Sequence, residues 1–493
     1  MRDYTRSRVR LTVLVLVAVV AMALAACSSK SSKATQPGST GTAASNTATA
    51  SSGVTWNGKC GPAGIASDPR SVAGLFTIND CIALSKTRPA GDDRTGVTKD
   101  TIVIGRSSPH TGGMAQWLPT AQTMQKVVDA VNQAGGVFGR KIKLIDLDNA
   151  GTPARGTDVA KQLVEQDKVF ATFGNLCVAC ELATYKYYAS KGVPDIFLFA
   201  NGPWVAEPTI TTMFGGGQAA LEDGLALGTY VGKQKPGGKV SVVYQDDAYG
   251  QPLLAGFKVG LAQASSSATI AKTITYNIAN ASDLSSQAQE AASTHPDYVA
   301  FLGTAIVPFI KALRETAGYT GPVVIAQSSA SSSNAVAAGT QNFNNVTADL
   351  GIYTTHQLDE AAVAAAKTWA QQNGLAFNTY VLDGIAWTQM LVHSLELAGP
   401  DLTRQGLVDA MQTGFSVQSS WKCSLCVGPI VFGAQDHWAI ETVQMVHWDS
   451  SAKGFVPVPG MTPIDMETSK GHGIRGNIPG YPCAADTCPW KGQ

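Results

Sequence analysis

From residue 101 onward, short apolar runs alternate with amphipathic stretches. "TIVIGR" reads as a strand. "TAQTMQKVVDAVNQAGG" sets Met124, Val127, Val128 and Val131 on one helical face and ends in two glycines, a helix stop. The strand "KIKLIDLD", the helix "ARGTDVAKQLVEQD", the strand "VFATFG", the helix "VACELATYKYYASKG" and the strand "VPDIFLF" follow. Repeated βα units predict a parallel sheet covered by helices on both faces. After "MFGGGQ" the pattern restarts with the strand "KVSVVYQDD", a helix over 252–264, "TITYNI", a helix over 284–293, "DYVAFLG", the helix "VPFIKALRETAG" and "PVVIAQ". Two successive α/β units predict two lobes. Beyond residue 349 come a strand "LGIYTT", helices near 360–373, 379–398 and 403–412, and a hairpin-like pair, "GPIVFG" and "WAIETVQMVHW". Period two places Trp438, Ile440, Val446 and Trp448 on one face of the last segment.

The start of the chain follows another rule. Arg2, Arg6, Arg8 and Arg10 precede the uninterrupted apolar run "LTVLVLVAVVAMALAA". That run is shorter than the ~20 apolar residues of a spanning helix and suits a secretory signal peptide. It closes in "LAAC", which resembles a bacterial lipobox, with residues 1–26 removed and Cys27 lipidated. An uncleaved anchor helix is the plainer alternative. Residues 28–53 are small and polar, with Gly and Pro, as a flexible tether would be. Residues 54–98, an extension holding Cys60 and Cys81, match no motif, and a stapled cap on the first lobe is one reading of them.

Composition narrows the partners. The 36 basic residues balance the 36 acidic ones and no basic stripe appears, which argues against nucleic acid. With Cys27 assigned to lipid, eight of nine cysteines remain: Cys60, Cys81, Cys177, Cys180, Cys423, Cys426, Cys483 and Cys488. An even number in an exported chain favours disulfides, and pairing of neighbours is the simplest connectivity. A zinc site from the two CxxC pairs is the sharper alternative. No cofactor is implied. No G-x-S-x-G, HExxH or paired-carboxylate motif supports a hydrolase, so an exported enzyme is the weaker reading.

In open α/β sheets ligands sit beyond the carboxyl ends of the strands. That rule selects Ser107, His110, Gln116 and Trp117 after the first strand, then Asn175, Leu176 and Val178, then Ala200 and Asn201. The second lobe offers Asp247 and Tyr249, Thr304, and Gln327 with Ser328. Trp117 is as readily a buried core indole as a ligand wall.

The phrases "IVIGRSSPHTGGMAQW", "VNQAGGVFGRKIKLIDLDNAGTP", "AKQLVEQDKVFATFGNLC", "KGVPDIF", "VVYQDDAYGQ" and "VGPIVFGAQDH", in this order, resemble the type I periplasmic binding proteins of the leucine/isoleucine/valine-binding family over about 101–458. The resemblance implies an α/β fold of two doubly wound parallel-sheet lobes joined by crossover strands, the periplasmic binding protein-like I architecture. It implies a small amino-acid-like or amide-like ligand captured between closing lobes and passed to an ABC permease with its ATPase subunits. With it, the chain divides into lobe 1 (99–219), lobe 2 (220–348), a return to lobe 1 (349–430), a return to lobe 2 (431–458) and an irregular tail (459–493). The implied location is extracytoplasmic, held at the cell membrane by lipid on Cys27. A sensing or scaffold lipoprotein with the same lobes is the alternative. The chain departs from the family where a Ser or Thr holds the ligand carboxylate, since Val178 stands there. It also lacks the family's Tyr and acid for a ligand ammonium, having "GTA" at 303–305 and "QSSA" at 326–329 instead. The family's cysteine at the place of Cys177 pairs with one near residue 151, which is Gly151 here, so Cys180 is the expected substitute partner.

Overall fold

The computed structural model describes residues 69–82, 88–199, 210–415, 419–432 and 437–466. The expected signal peptide and tether, with Cys27, Cys60, Ala200, Asn201, Cys483 and Cys488, lie outside the described residues.

A hairpin of β1 (Arg70–Val72) and β2 (Phe76–Ile78) opens the described chain. The extension is therefore built onto the first lobe, because Val72, Leu75, Phe76 and Ile78 join that lobe's core. Arg70 ties it down, donating to the Asp80 carboxylate at 2.8 Å and to the Ala134 carbonyl at 2.8 Å.

Lobe 1 then runs β3 (Thr101–Ser108), α1 (Leu118–Gln133), β4 (Lys141–Asp148), α2 (Pro153–Lys161), β5 (Ala171–Phe173), α3 (Val178–Ser190), β6 (Asp195–Leu198) and β7 (Met213–Gly215). Its five strands are all parallel, in the order β4-β3-β5-β6-β7. Met124, Val127, Val128 and Val131 of α1 are all fully buried, as their helical spacing predicts.

Lobe 2 runs α4 (Ala220–Gln234), β8 (Lys239–Gln245), α5 (Gly250–Ala264), β9 (Thr269–Tyr276), α6 (Ser285–Ser293), β10 (Tyr298–Leu302), α7 (Ile306–Lys311), β11 (Val323–Ile325), α8 (Ser332–Ala338) and β12 (Val346–Leu350). Next α9 (Ala361–Gln372), α10 (Thr379–Ala398) and α11 (Arg404–Gly414) return to pack in the core of lobe 1. The chain ends its described course in β13 (Thr442–Asp449), β14 (Gly454–Pro457) and β15 (Ile464–Asp465). The second sheet has the order β14-β13-β12-β11-β10-β8-β9, with β15 beside β13; β8 to β12 are parallel, and β13 and β14 antiparallel. Short bridges, Gln218 to Ile440 and Ile352 to Cys426, tie together the segments that cross between the lobes.

Three features differ from the pattern reading. The strand expected at "LGIYTT" lies earlier, at Val346–Leu350. Its sequence "VTADL" hides a central strand because Thr347 and Asp349 are polar yet buried. The expected hairpin contracts to one bridge, Ile430 to Ile440, and the single face of the last segment is split. Val446 and Trp448 enter the core of lobe 2, while Ile440 enters that of lobe 1 and Trp438 packs with Leu198 and Met213, because the chain changes lobes between them. Helix α4 escaped the pattern altogether. Its Gly224, Gly228 and Gly232 face Gly256 and Gly260 of α5 so closely that backbone meets backbone: a Cβ on Gly228 would lie 2.2 Å from the Phe257 carbonyl oxygen. Glycines four apart share one helix face, and only their missing Cβ permits this approach.

Candidate functional site

The carboxyl ends of both sheets face one cleft of about 1300 Å3, counting its open mouth. Lobe 1 supplies an apolar wall. Met114 and Trp117 come from the turn after β3, Leu176 and Val178 from the β5–α3 connection, and Phe199 from the end of β6. Tyr380 and Trp387 come from the first three turns of α10. The rings fix one another: Trp117 meets Phe199 and Tyr380 edge-on with centroids 5.0 and 5.1 Å apart, and Phe199 stacks on Trp387 at 3.9 Å. Such contacts add to stability beyond area burial and hold the wall in one shape.

Lobe 2 supplies polar groups that already satisfy one another. Gln245 Oε1 accepts from the Thr304 hydroxyl at 2.8 Å, and Gln245 Nε2 donates to Asp247 at 2.6 Å. The Tyr249 hydroxyl donates to Ser328 Oγ at 2.7 Å, and Gln327 Nε2 donates to the Gln218 carbonyl at 3.2 Å. Asp247 accepts from the Tyr249 and Gly250 amides at 2.9 and 3.1 Å, so its carboxylate caps the start of α5 while bordering the cleft. Behind Gln218, the Asp223 and Asp349 carboxyls lie in contact; burial first, then the neighbouring charge, pushes Asp223 well up, and burial pushes Asp349 up to about 6. Like charges this close cannot both ionise, so the pair holds a proton.

Of the residues selected from the sequence, Trp117, Leu176, Val178, Asp247, Tyr249, Thr304, Gln327 and Ser328 line the cleft. Ser107, His110, Gln116 and Asn175 do not. Asn175 is fully buried behind the wall, accepting from the Ser107 amide at 2.8 Å and donating to Asp195 at 3.1 Å. Ser107 Oγ accepts from Asn149 at 3.1 Å in the same buried layer. His110 turns aside to Asp146, 3.2 Å away, in a cluster with Arg106, and the hydrogen bond to Asp146 raises its pKa. Gln116 is exposed on the turn before Trp117. Residues that the strand-end rule missed include Gln218, Tyr380, Asp383 and Trp387, which reach the cleft from segments distant in sequence.

The cysteines close locally. Cys177–Cys180 and Cys423–Cys426 are both disulfides, so neither pair is available to zinc as thiolates, and Cys81 is also disulfide-bonded. Cys177 occupies φ 130°, a region that favours glycine, at the N-cap of α3, and its Sγ accepts from the Cys180 amide at 3.1 Å. The ring thus shapes the loop that carries Leu176 and Val178 into the cleft.

Residues 101–454 match the model of the periplasmic binding protein family. This chain belongs to that family. An amino acid binding protein of Pseudomonas aeruginosa is 32% identical over 157 residues, covering 31% of this chain and 41% of the relative, so the match spans less than half of that protein. Solved structures share the fold. A branched-chain amino acid ABC transporter protein of Thermus thermophilus with bound valine superposes with a TM-score of 0.66 at 15% identity, over 74% of this chain and 97% of that one. A fatty acid ABC transporter substrate-binding protein of Thermomonospora curvata gives 0.66 at 20% identity, over 78% and 98%.

Proposed function

We propose that this periplasmic binding protein is an extracytoplasmic solute-binding lipoprotein, anchored through Cys27, that captures a small amino-acid-like or amide-like organic ligand between its lobes and delivers it to an ABC importer. The observation that carries this reading is the cleft itself, lined by an interlocked aromatic wall from one lobe and by polar loops from the other. Mostly apolar concavities with a few convergent polar groups, at the strand ends of α/β sheets, are where such folds hold ligands. The similar proteins named for an amino acid and for a fatty acid support a small organic cargo and differ on its chemistry. The anchor rests on the "LAAC" sequence after the apolar run. The test is a thermal-shift screen of the mature protein against amino acids, amides, polyamines, aromatic acids and fatty acids, followed by calorimetry. Saturable binding of one class at one site per chain supports the reading. Absence of any stabilising ligand across the screen would remove it.

A further inference from the structure

Several buried acids among the described residues have a polar partner within the protein. Asp195 accepts from Asn175, Asp223 accepts from the Gln327 amide, Asp349 accepts from Gln218, Asp146 pairs with Arg106, and Glu396 accepts from the Asn79 amide. Asp383 is only 9% exposed, and among the described residues no hydrogen bond or ion pair reaches its carboxyl. It lies on α10 between Tyr380 and Trp387, one turn from each, and borders the cleft with them. A buried carboxyl without a partner is costly, and such a group aimed into a cavity implies a partner that arrives from outside.

The rest of the lining says what that partner is. Among the described residues no Lys, Arg or His lines the cleft, whereas Asp247 and Asp383 do. An anionic ligand would meet carboxyls and no cationic side chain. A cation would meet an unpaired acid, with Tyr380 and Trp387 one helical turn to either side of it. We propose that Asp383 receives a protonated amine of the cargo, so that the ligand is an amine carrying an apolar body about the size of an aromatic ring. This rests on the solute-binding reading above and narrows it.

Burial alone pushes Asp383 up to about 8, so it is largely a neutral acid at pH 7. Burial is the whole cause of that shift. The titratable groups that share the lining with it are Tyr380, Tyr249 and Asp247. An ammonium arriving beside Asp383 favours the carboxylate, and the displaced proton leaves to the buffer. Binding is therefore coupled to release of close to one proton at pH 7, and affinity rises with pH up to the free pKa near 8.

The test is calorimetry on the mature full chain at pH 7 in phosphate and in Tris, whose different ionisation heats report proton release. The probes are matched by body: 2-phenylethylamine, 2-phenylethanol and 3-phenylpropionate, then 3-methylbutylamine, 3-methylbutanol and 4-methylpentanoate. The amines should bind at least about tenfold tighter than their partners, with proton release. Asp383→Asn should weaken amine binding about 10- to 100-fold and abolish the release, with an undiminished melting temperature. Asp383→Glu should keep the preference for amines, which a merely structural role would not require. Acids or alcohols binding as well as amines, an unaffected Asp383→Asn variant, or a cargo found by wider screening that lacks an amine would each overturn the assignment while leaving solute binding intact. Failure of every compound in the wider screen would instead remove the solute-binding reading on which it rests.

Discussion

Replacing Gly228 with Ala probes the crossing of α4 and α5 directly. In an open helix this change is favourable by about 1 kcal/mol, because alanine restricts the unfolded chain more and suits the helix better. Here the new Cβ would lie 2.2 Å from the Phe257 carbonyl oxygen and 2.8 Å from the Leu261 amide nitrogen. Both are backbone atoms within α5, so no side-chain rotation relieves the clash. Ordinary contact at roughly 3.5 Å requires the helices to part by about 1 Å, and a gap of that size forfeits a quarter to a half of each dispersion contact across it. Overpacking of this kind costs about 1–3 kcal/mol, and a rigid obstacle places it at the upper end. The net expectation is a loss of about 1–2 kcal/mol after the helix-propensity gain. Urea unfolding followed by circular dichroism should show a lower midpoint with an unchanged slope. Gly232→Ala is the internal control: its nearest obstacle is the Ala264 Cβ at 2.7 Å, with the Leu261 oxygen at 3.1 Å, and it should cost less. A Gly228→Ala protein as stable as the parent, or a Gly232→Ala protein less stable than Gly228→Ala, would refute the close-crossing argument.

Trp117→Ala should lower both stability, by about 3 kcal/mol for an indole this buried, and ligand affinity, measured by melting and by calorimetry, since its ring both borders the cleft and packs on Phe199 and Tyr380. Tyr249→Phe should cost about 1 kcal/mol by chemical denaturation, through the bond lost to Ser328. The Cys177→Ser, Cys180→Ser double variant should lose ~2 kcal/mol at most, because a ring this small restricts few unfolded conformations; alkylation of the native protein without reductant should leave all four of Cys177, Cys180, Cys423 and Cys426 unlabelled. For Asp383 the folded pKa, about 8, lies above the unfolded one, so protonation stabilises the fold at low pH and that contribution fades as pH rises from about 4 to about 8. Asp383→Asn lacks this term, so denaturation curves should show the variant gaining on the parent across that window; a constant difference would contradict the burial of the carboxyl.

Much of lobe 1 was legible because parallel strands, buried on both faces, read as continuous apolar runs between amphipathic helices. The helix of Met124, Val127, Val128 and Val131 follows from spacing alone. Legibility failed where tertiary context reversed a local signal. The glycines of α4 look like chain punctuation, and only the presence of α5 makes them a packing surface. Strand β12 was hidden by Asp349, a buried acid that becomes tolerable only beside Asp223 and Gln218. At the site, the strand-end rule located the loops but not the side of the chain facing the cleft: Asn175 and Ser107 turn inward to each other, whereas Leu176 and Val178 turn out. Asp383 had no sequence signal, since one acid in the apolar helix "TYVLDGIAWTQMLVHSL" reads as solvent-exposed until the fold buries it.

The unequal state of the polar groups in the two lobes bears on how the proposed site selects its cargo. Thr304, Gln245, Asp247, Tyr249 and Ser328 are hydrogen-bonded to one another. A ligand that engages them must exchange existing bonds for new ones, and exchange yields little net free energy. Asp383 loses nothing on meeting a donor, because among the described residues no hydrogen bond reaches it, so a matching ligand gains the full difference between an unpaired and a paired buried acid. The aromatic wall is indifferent to ligand charge and sets affinity through area, as Trp117, Phe199, Tyr380 and Trp387 are already locked together before a ligand arrives. Discrimination then falls mainly to a single acid on α10, and the lobe 2 loops act by completing the enclosure that excludes water from it. Altering lobe 2 polar residues should therefore change how tightly all ligands are held, while altering Asp383 should change which ligands are held.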